Sequence, residues 1–152
     1  MTELYTDQHK AMMQSNIDCA KLRTNRIEEI KNFAQQMKFE RIGIAHCITF
    51  TKEAKVICDY LSQFFEVFIV DCKYGNLCKS NILGGDSRRL LCNPLGQAVF
   101  LNHLHTELNI SMGLCVGHDM IFSKHSDAFV TNLLDKDFTN KHNPMQVINE
   151  LK

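Results

Sequence analysis

Tryptophan is absent from this 152-residue chain and proline occurs only twice. No apolar run is long. Stretches such as Val67-Phe68-Ile69-Val70 fall far short of the roughly 20 residues a helix needs to cross a bilayer. An excess of either charge is missing too, since 17 Lys and Arg stand against 17 Asp and Glu. That balance removes the electrostatic basis for nucleic acid or an anionic membrane as the main partner. The opening residues, Met1-Thr2-Glu3-Leu4-Tyr5-Thr6-Asp7, lack the basic-then-apolar order of a signal peptide, so a cytoplasmic location is expected. There is no internal repeat and no low-complexity segment. There is also no C-x-x-C pair, the tight turn from which structural zinc usually draws its thiolates.

Against these absences stand seven cysteines. In a reducing compartment they stay thiols. Their number is odd, and a chain of this length buries a sizeable core without covalent staples. Cysteine in that setting points to a metal, to catalysis or to simple burial.

Periodicity divides the chain into helices and strands. Thr6 to Arg23 reads as a helix with Ala11, Met12, Ile17 and Ala20 on its buried side. Asn25 and Glu28 have the spacing of a capping box for a second helix, whose Ile27, Ile30, Phe33, Ala34 and Met37 recur at helical intervals. Arg41 to Cys47 is a strand. Thr51 is expected to cap the next helix, with Ala54, Ile57, Cys58 and Leu61 on one face, and Val67 to Cys72 is a second strand. A polar stretch from Lys73 to Leu91 shows no period and is long enough to serve a site. Pro94 suits the first position of a helix to about Glu107. A strand from Ile110 to Cys115, a short helix from His118 to His125, a strand from Phe129 to Leu134 and a closing helix after Asn143-Pro144 follow.

Strands that are apolar throughout and alternate with helices imply a parallel sheet covered on both faces. The expectation is therefore α/β: a single Rossmann-like three-layer domain over residues 1–152 with a parallel sheet of about four strands. A helical segment, residues 1–38, is expected to pack on it.

Right-handed crossovers place the carboxyl ends of the strands on one edge, where open α/β sheets bind ligands. Cys47, Cys72 and Cys115 fall at three such ends, and Cys92, just before Pro94, can reach the same edge. Cys115 lies in Gly113-Leu114-Cys115-Val116-Gly117-His118-Asp119, a glycine-flanked turn that exposes the side chain at its tip. A following helix N-terminus favours the thiolate. Three readings stay open: four thiols ligating one metal centre, a nucleophilic Cys115 served by His118, or small side chains buried at strand ends. The Gly-x-Cys-x-Gly-His order is similar to the nucleophile turn of class I glutamine amidotransferases. The His-x-Glu of those enzymes is absent, because His142 is followed by Asn143 and Pro144.

Several stretches together resemble a known family: Arg41 to Cys47 (RIGIAHC), Cys72-Lys73-Tyr74-Gly75, Cys92 to Ala98 (CNPLGQA), Leu101-Asn102, Leu108 to Asp119 (LNISMGLCVGHD) and His142-Asn143-Pro144. The family is the bacterial and archaeal domain of unknown function eighteen forty-seven, which carries a metal-binding label. Members commonly have a further cysteine cluster near the N-terminus, where only Cys19 stands here. The resemblance implies metal binding through Cys47, Cys72, Cys92 and Cys115 and names no reaction.

Scattered single thiolates suit an iron–sulfur cluster whose ligands come from several loops, with zinc as the alternative. An iron without a protein thiolate would leave a position for a small sulfur-containing or anionic substrate. Lys73, Asn93 and His118 are expected beside the cofactor or substrate, and Asp119 at the helix start as a cap. Cys78 is a reserve ligand, Cys19 and Cys58 are core, and an oligomer stays open through Phe64, Phe65 or Phe100.

Overall fold

In the computed structural model, which describes residues 2–151, the chain divides after Glu40 into two compact units. The first is a helical hairpin of α1 (Asp7–Lys21) and α2 (Arg26–Gln36). Thr6 opens α1: its hydroxyl accepts from the His9 amide and the His9 ring accepts from the Thr6 amide, a reciprocal cap. Asn25 opens α2 by accepting from the Ile27 and Glu28 amides at 3.0 and 3.1 Å.

The buried side of α1 is not the one expected. Ser15 and Cys19 point inward, while Ala11, Ile17 and Ala20 are exposed. The reason is the close approach of α2, where the Ser15 hydroxyl donates to Met37 Sδ at 3.4 Å.

The second unit holds four strands, β1 (Arg41–His46), β2 (Glu66–Asp71), β3 (Leu108–Met112) and β4 (Phe129–Leu134). They form one parallel sheet in the order β2-β1-β3-β4. The helices are α3 (Thr51–Leu61) between β1 and β2, then α4 (Lys79–Leu83) and α5 (Pro94–His103) between β2 and β3. After β3 come α6 (Val116–His125), β4 and the closing α7 (Pro144–Glu150). Right-handed crossovers put α3 on one face and α5 and α6 together on the other, so the expected α/β sheet flanked by helices is what the chain adopts. No helix among the described residues is long and apolar enough to cross a membrane.

Further local details differ from the sequence reading. The third strand runs over Leu108–Met112 and not Ile110 to Cys115, so Cys115 lies beyond the strand, at the start of α6, and the helix from Pro94 ends at His103, short of Glu107. Thr51 does not cap α3, because a 3-10 turn over Ile48–Phe50 runs directly into the helix. Thr51 becomes its first residue and its hydroxyl donates to the Ile48 carbonyl at 2.8 Å. The stretch after Lys73 also carries structure of its own, α4 and an antiparallel bridge between Cys78 and Leu90.

Phe122 of α6, fully buried, packs with Ala98 and Leu101 of α5 against Ala45 and Val70 of the sheet. Gly43 lets α5 lie close on β1, because a Cβ there would run into the Asn109 side chain and the Leu101 methyls. Gly43→Ala is expected to cost about 1–3 kcal/mol through overpacking, read as a lower urea midpoint at unchanged slope.

The chain leaves β1 toward β2 on one side and leaves β3 toward β4 on the other. Strand order therefore reverses between β1 and β3, and the crevice beyond their carboxyl ends is where open α/β sheets take ligands. Gln97, fully buried on α5, fastens this end by donating to the carbonyls of His46 at 3.2 Å and Val70 at 3.0 Å.

Candidate metal and thiol site

Each thiol is seated by the element that ends or begins beside it. Cys47 follows β1, and its amide donates to the Met112 carbonyl at 3.0 Å, extending the β1–β3 pairing. Cys72 follows β2, and its carbonyl accepts from the Asn93 amide at 2.8 Å. That bond draws the start of α5 to the end of β2 and sets the Cys72 and Cys92 sulfurs 3.6 Å apart. Cys115 is the exposed N-cap residue of α6. The turn into it depends on Gly113, whose φ of 62° lies in the left-handed region and whose amide donates to the Leu134 carbonyl at 2.6 Å.

Two lysines tie these sulfurs together. Lys136, just past β4, donates to Cys47 at 2.8 Å and to Cys115 at 3.4 Å. Lys73 donates to Cys92 at 3.5 Å and to the Leu90 carbonyl at 3.1 Å. Cys47 and Cys72 also share a buried cluster with Phe50, against which Cys92 and Leu134 pack. The four expected ligands thus meet at one sheet edge as two pairs, one closed sulfur against sulfur and one bridged by an ammonium.

The charges follow from that arrangement. Burial pushes the Cys47 thiol up, but the Lys136 ammonium and Thr49 outweigh it, and the group falls from 9.0 to about 7. Burial pushes Cys72 up to about 12; the Ile48 amide, donating at 3.4 Å, works against this, and the nearby Cys92 and Cys47 sulfurs add to it. Burial opposes the Lys136 charge, yet the Cys47 and Cys115 sulfurs more than restore it and raise the lysine above its ordinary value. His118 is lowered, first by burial and then by the positive charges of Lys136 and Lys73, so its imidazole is neutral at pH 7.

A folded-state value below the unfolded one means that folding favours the Cys47 thiolate. Its contribution to stability is full above pH 9 and is lost as pH falls through about 7. In metal-free, reduced protein one thiolate should therefore appear near pH 7 by ultraviolet absorbance. Lys136→Met should move that titration upward, since burial remains and the ammonium that offset it is gone, with Thr49 alone left to favour the thiolate. An unmoved curve would show that Lys136 does not set the charge of Cys47.

The remaining expected residues are less uniformly placed. Lys73 is at the site. His118 is near enough to feel both lysines. Asn93 borders the site, but both ends of its side chain are engaged: the oxygen accepts from the Gly96 amide at 2.8 Å, and the nitrogen donates to the Tyr74 carbonyl at 3.1 Å. Asn102, in the resembling pair Leu101-Asn102, has a role apart from the thiols, joining α5 to the end of α6 through the His125 carbonyl and the Asp127 amide. Asp119 has one buried carboxylate oxygen with no partner among the described residues. Cys78 precedes α4 and pairs with Leu90 in the antiparallel bridge. Cys19 is buried, and Cys58 is partly exposed on α3.

Lys136 is the residue that sequence reasoning missed as a site member. The signal was available, since it follows the fourth strand end as Cys47, Cys72 and Cys115 follow the others. Its surrounding loop is ordered by Asp137, which accepts from the Thr139 and Asn140 amides, each at 3.1 Å. The His142 ring then packs edge-on against Phe50.

The donor set is chemically suited to a soft metal, being thiol throughout. No three His, Cys, Asp or Glu side chains among the described residues are already drawn together as an ion site. Zinc–thiolate bonds of about 2.3 Å would place the sulfurs of a tetrahedral site roughly 3.8 Å apart. Cys72 and Cys92 come close to that spacing, and Cys47 and Cys115 share the Lys136 ammonium.

Fold and site together define an α/β protein with four thiols and two lysines at the switch point of a parallel sheet. The chain belongs to the family described as protein of unknown function (DUF1847), whose family model matches residues 1–133. It is similar to the uncharacterized protein MJ0455 of Methanocaldococcus jannaschii, with 40% identity over 126 residues. The match takes in 80% of this chain and 65% of that relative, so the chain spans less than two thirds of the relative's length. No solved structure matches.

Proposed function

We propose that the protein is a cytoplasmic metal-binding protein whose centre is ligated by Cys47, Cys72, Cys92 and Cys115, an iron–sulfur cluster being favoured over zinc. The observation that carries this reading is the meeting of four thiols, from four separate segments, around two ammonium groups at one sheet edge. Soft thiolates select zinc or iron–sulfur clusters over hard cations. The four thiols come from separate segments and not from C-x-x-C turns, which favours a multi-iron occupant over a structural zinc ion.

Four thiolates in a half-buried pocket are costly without compensation, and Lys73 and Lys136 supply it. Cys47 and Cys115 would hold one side and Cys72 and Cys92 the other, with neutral His118 and Asn93 at the border. With all four thiolates bound such a cluster would supply electron transfer; with only three of them bound, the remaining iron would offer a Lewis-acidic position for a small anionic or sulfur-containing substrate.

The test is metal analysis of anaerobically expressed protein. Iron with acid-labile sulfide and a brown colour is expected, and reconstitution should succeed in the native chain but not in Cys115→Ala. Negligible iron with stoichiometric zinc would replace the cluster by zinc. A second reading, Cys115 as a nucleophile, draws on its exposure at the start of α6. Protein free of both metals but selectively alkylated at Cys115 would favour it.

A further inference from the structure

We propose that Cys72 and Cys92 form a dithiol that reduces low-molecular-weight organic disulfides, with Cys92 attacking and Cys72 resolving. This activity belongs to the metal-free chain and does not depend on the metal reading.

The pair is poised by backbone, not by its sulfurs. The Asn93 amide bonds to the Cys72 carbonyl at 2.8 Å, and the Asn93 side chain reaches the Tyr74 carbonyl at 3.1 Å. Beyond this neck the intervening chain returns on itself. Leu91 donates to the Leu77 carbonyl at 2.8 Å and Lys79 to the Arg89 carbonyl at 2.9 Å. The two sulfurs, 3.6 Å apart, need only a side-chain adjustment to reach the roughly 2.0 Å of a disulfide.

The two thiols differ in the way exchange requires. Cys72 is 2% exposed and accepts from the Ile48 amide. Cys92 is only partly buried and has the Lys73 ammonium at 3.5 Å, a counter-charge for the attacking sulfur and for the thiolate that leaves. An external disulfide meets Cys92 first. The other pair is held differently, Cys47 and Cys115 sharing the Lys136 ammonium as a common donor.

The Cys92 thiolate attacks one sulfur of the disulfide R–S–S–R. The R–S–S–R bond breaks, a mixed disulfide forms on Cys92, and one R–S⁻ departs. Cys72 then gives its proton to solvent and attacks the Cys92 sulfur. The Cys72–Cys92 bond forms, and the second R–S⁻ leaves. Both departing thiolates take up protons as solution pH dictates. The protein loses two electrons and the substrate gains them.

The test uses full-length protein, reduced and chelator-treated, mixed anaerobically with bis(2-hydroxyethyl) disulfide. Expected are a mass loss equal to two hydrogens, a cross-linked peptide joining Cys72 to Cys92, and release of two equivalents of 2-mercaptoethanol. Cys72→Ser should instead accumulate the mercaptoethanol adduct on Cys92, and Cys92→Ser should give no cross-link at Cys72. Circular dichroism confirms that each variant is folded. Adducts on Cys115 alone, or a Cys47–Cys115 bond with Cys72 and Cys92 still open to alkylation, would overturn the proposal. Iron is measured separately on the untreated preparation. Iron-free protein that forms the bond would count against the metal reading and support this one, and iron-loaded protein whose stripped form does not react would do the reverse.

Discussion

Cys72→Ser protein prepared without oxygen is expected to lose most of its iron relative to the native chain. Cys72 is buried beside Cys47 and Phe50 and lies 3.6 Å from the Cys92 sulfur, so no solvent-borne ligand can easily replace it. A serine hydroxyl is a hard donor that stays protonated at neutral pH, a poor substitute for thiolate toward iron. The substitution should spare the fold, because the Asn93 amide bonds to the backbone carbonyl of residue 72 and not to its side chain. It should also spare alkylation of Cys115, which separates loss of a ligand from loss of a nucleophile. Full iron content in this variant would remove Cys72 from the centre.

Gly113→Val is expected to destabilise the protein by roughly 4 kcal/mol, combining a β-branched residue at positive φ with overpacking. A Cβ at this position runs into the Phe50 ring, and the backbone has φ of 62°. Phe50 cannot retreat freely, because it packs with Cys47 and Cys72 and against the His142 ring. Equilibrium unfolding in urea, followed by circular dichroism, reads the loss. A midpoint equal to that of the native chain would mean that the turn relaxes without cost.

The sheet was legible in the sequence because its strands are short apolar runs bounded by polar turns. Phe129 to Leu134 matches β4 residue for residue, and Arg41 to Cys47 overruns β1 by one. Parallel pairing followed from those runs and from the helices between them.

Helix faces were harder. α2, with Ile30 and Ala34 buried, shows its period plainly. On α1 the contact with Met37 turns Ser15 inward, a residue that no hydrophobic pattern selects. Thr51 carried a cap's chemistry, but the 3-10 turn before it supplies the geometry of a helix already under way.

At the site, reading Cys47, Cys72 and Cys115 as strand-end residues and Cys92 as a helix-start residue pointed to one sheet edge, although Cys115 falls beyond its strand, at the start of α6. That they would divide into a sulfur–sulfur pair and a lysine-bridged pair was not legible. The division depends on where Lys73 and Lys136 reach, and the reach of a flexible side chain is set by tertiary packing.

Positions 47, 72, 92 and 115 hang from separate elements, and the sheet order makes β3 insert beside β1 instead of following β2. No short stretch of this chain can gather the thiols by itself. In a small zinc module, by contrast, nearby ligands let the ion organise an otherwise unfolded peptide. Here the long-range strand pairings, which form slowly, have to be in place first. Assembly of the proposed centre would thus be ordered, folding before loading, and its completeness would become a readout of whether the whole sheet has formed.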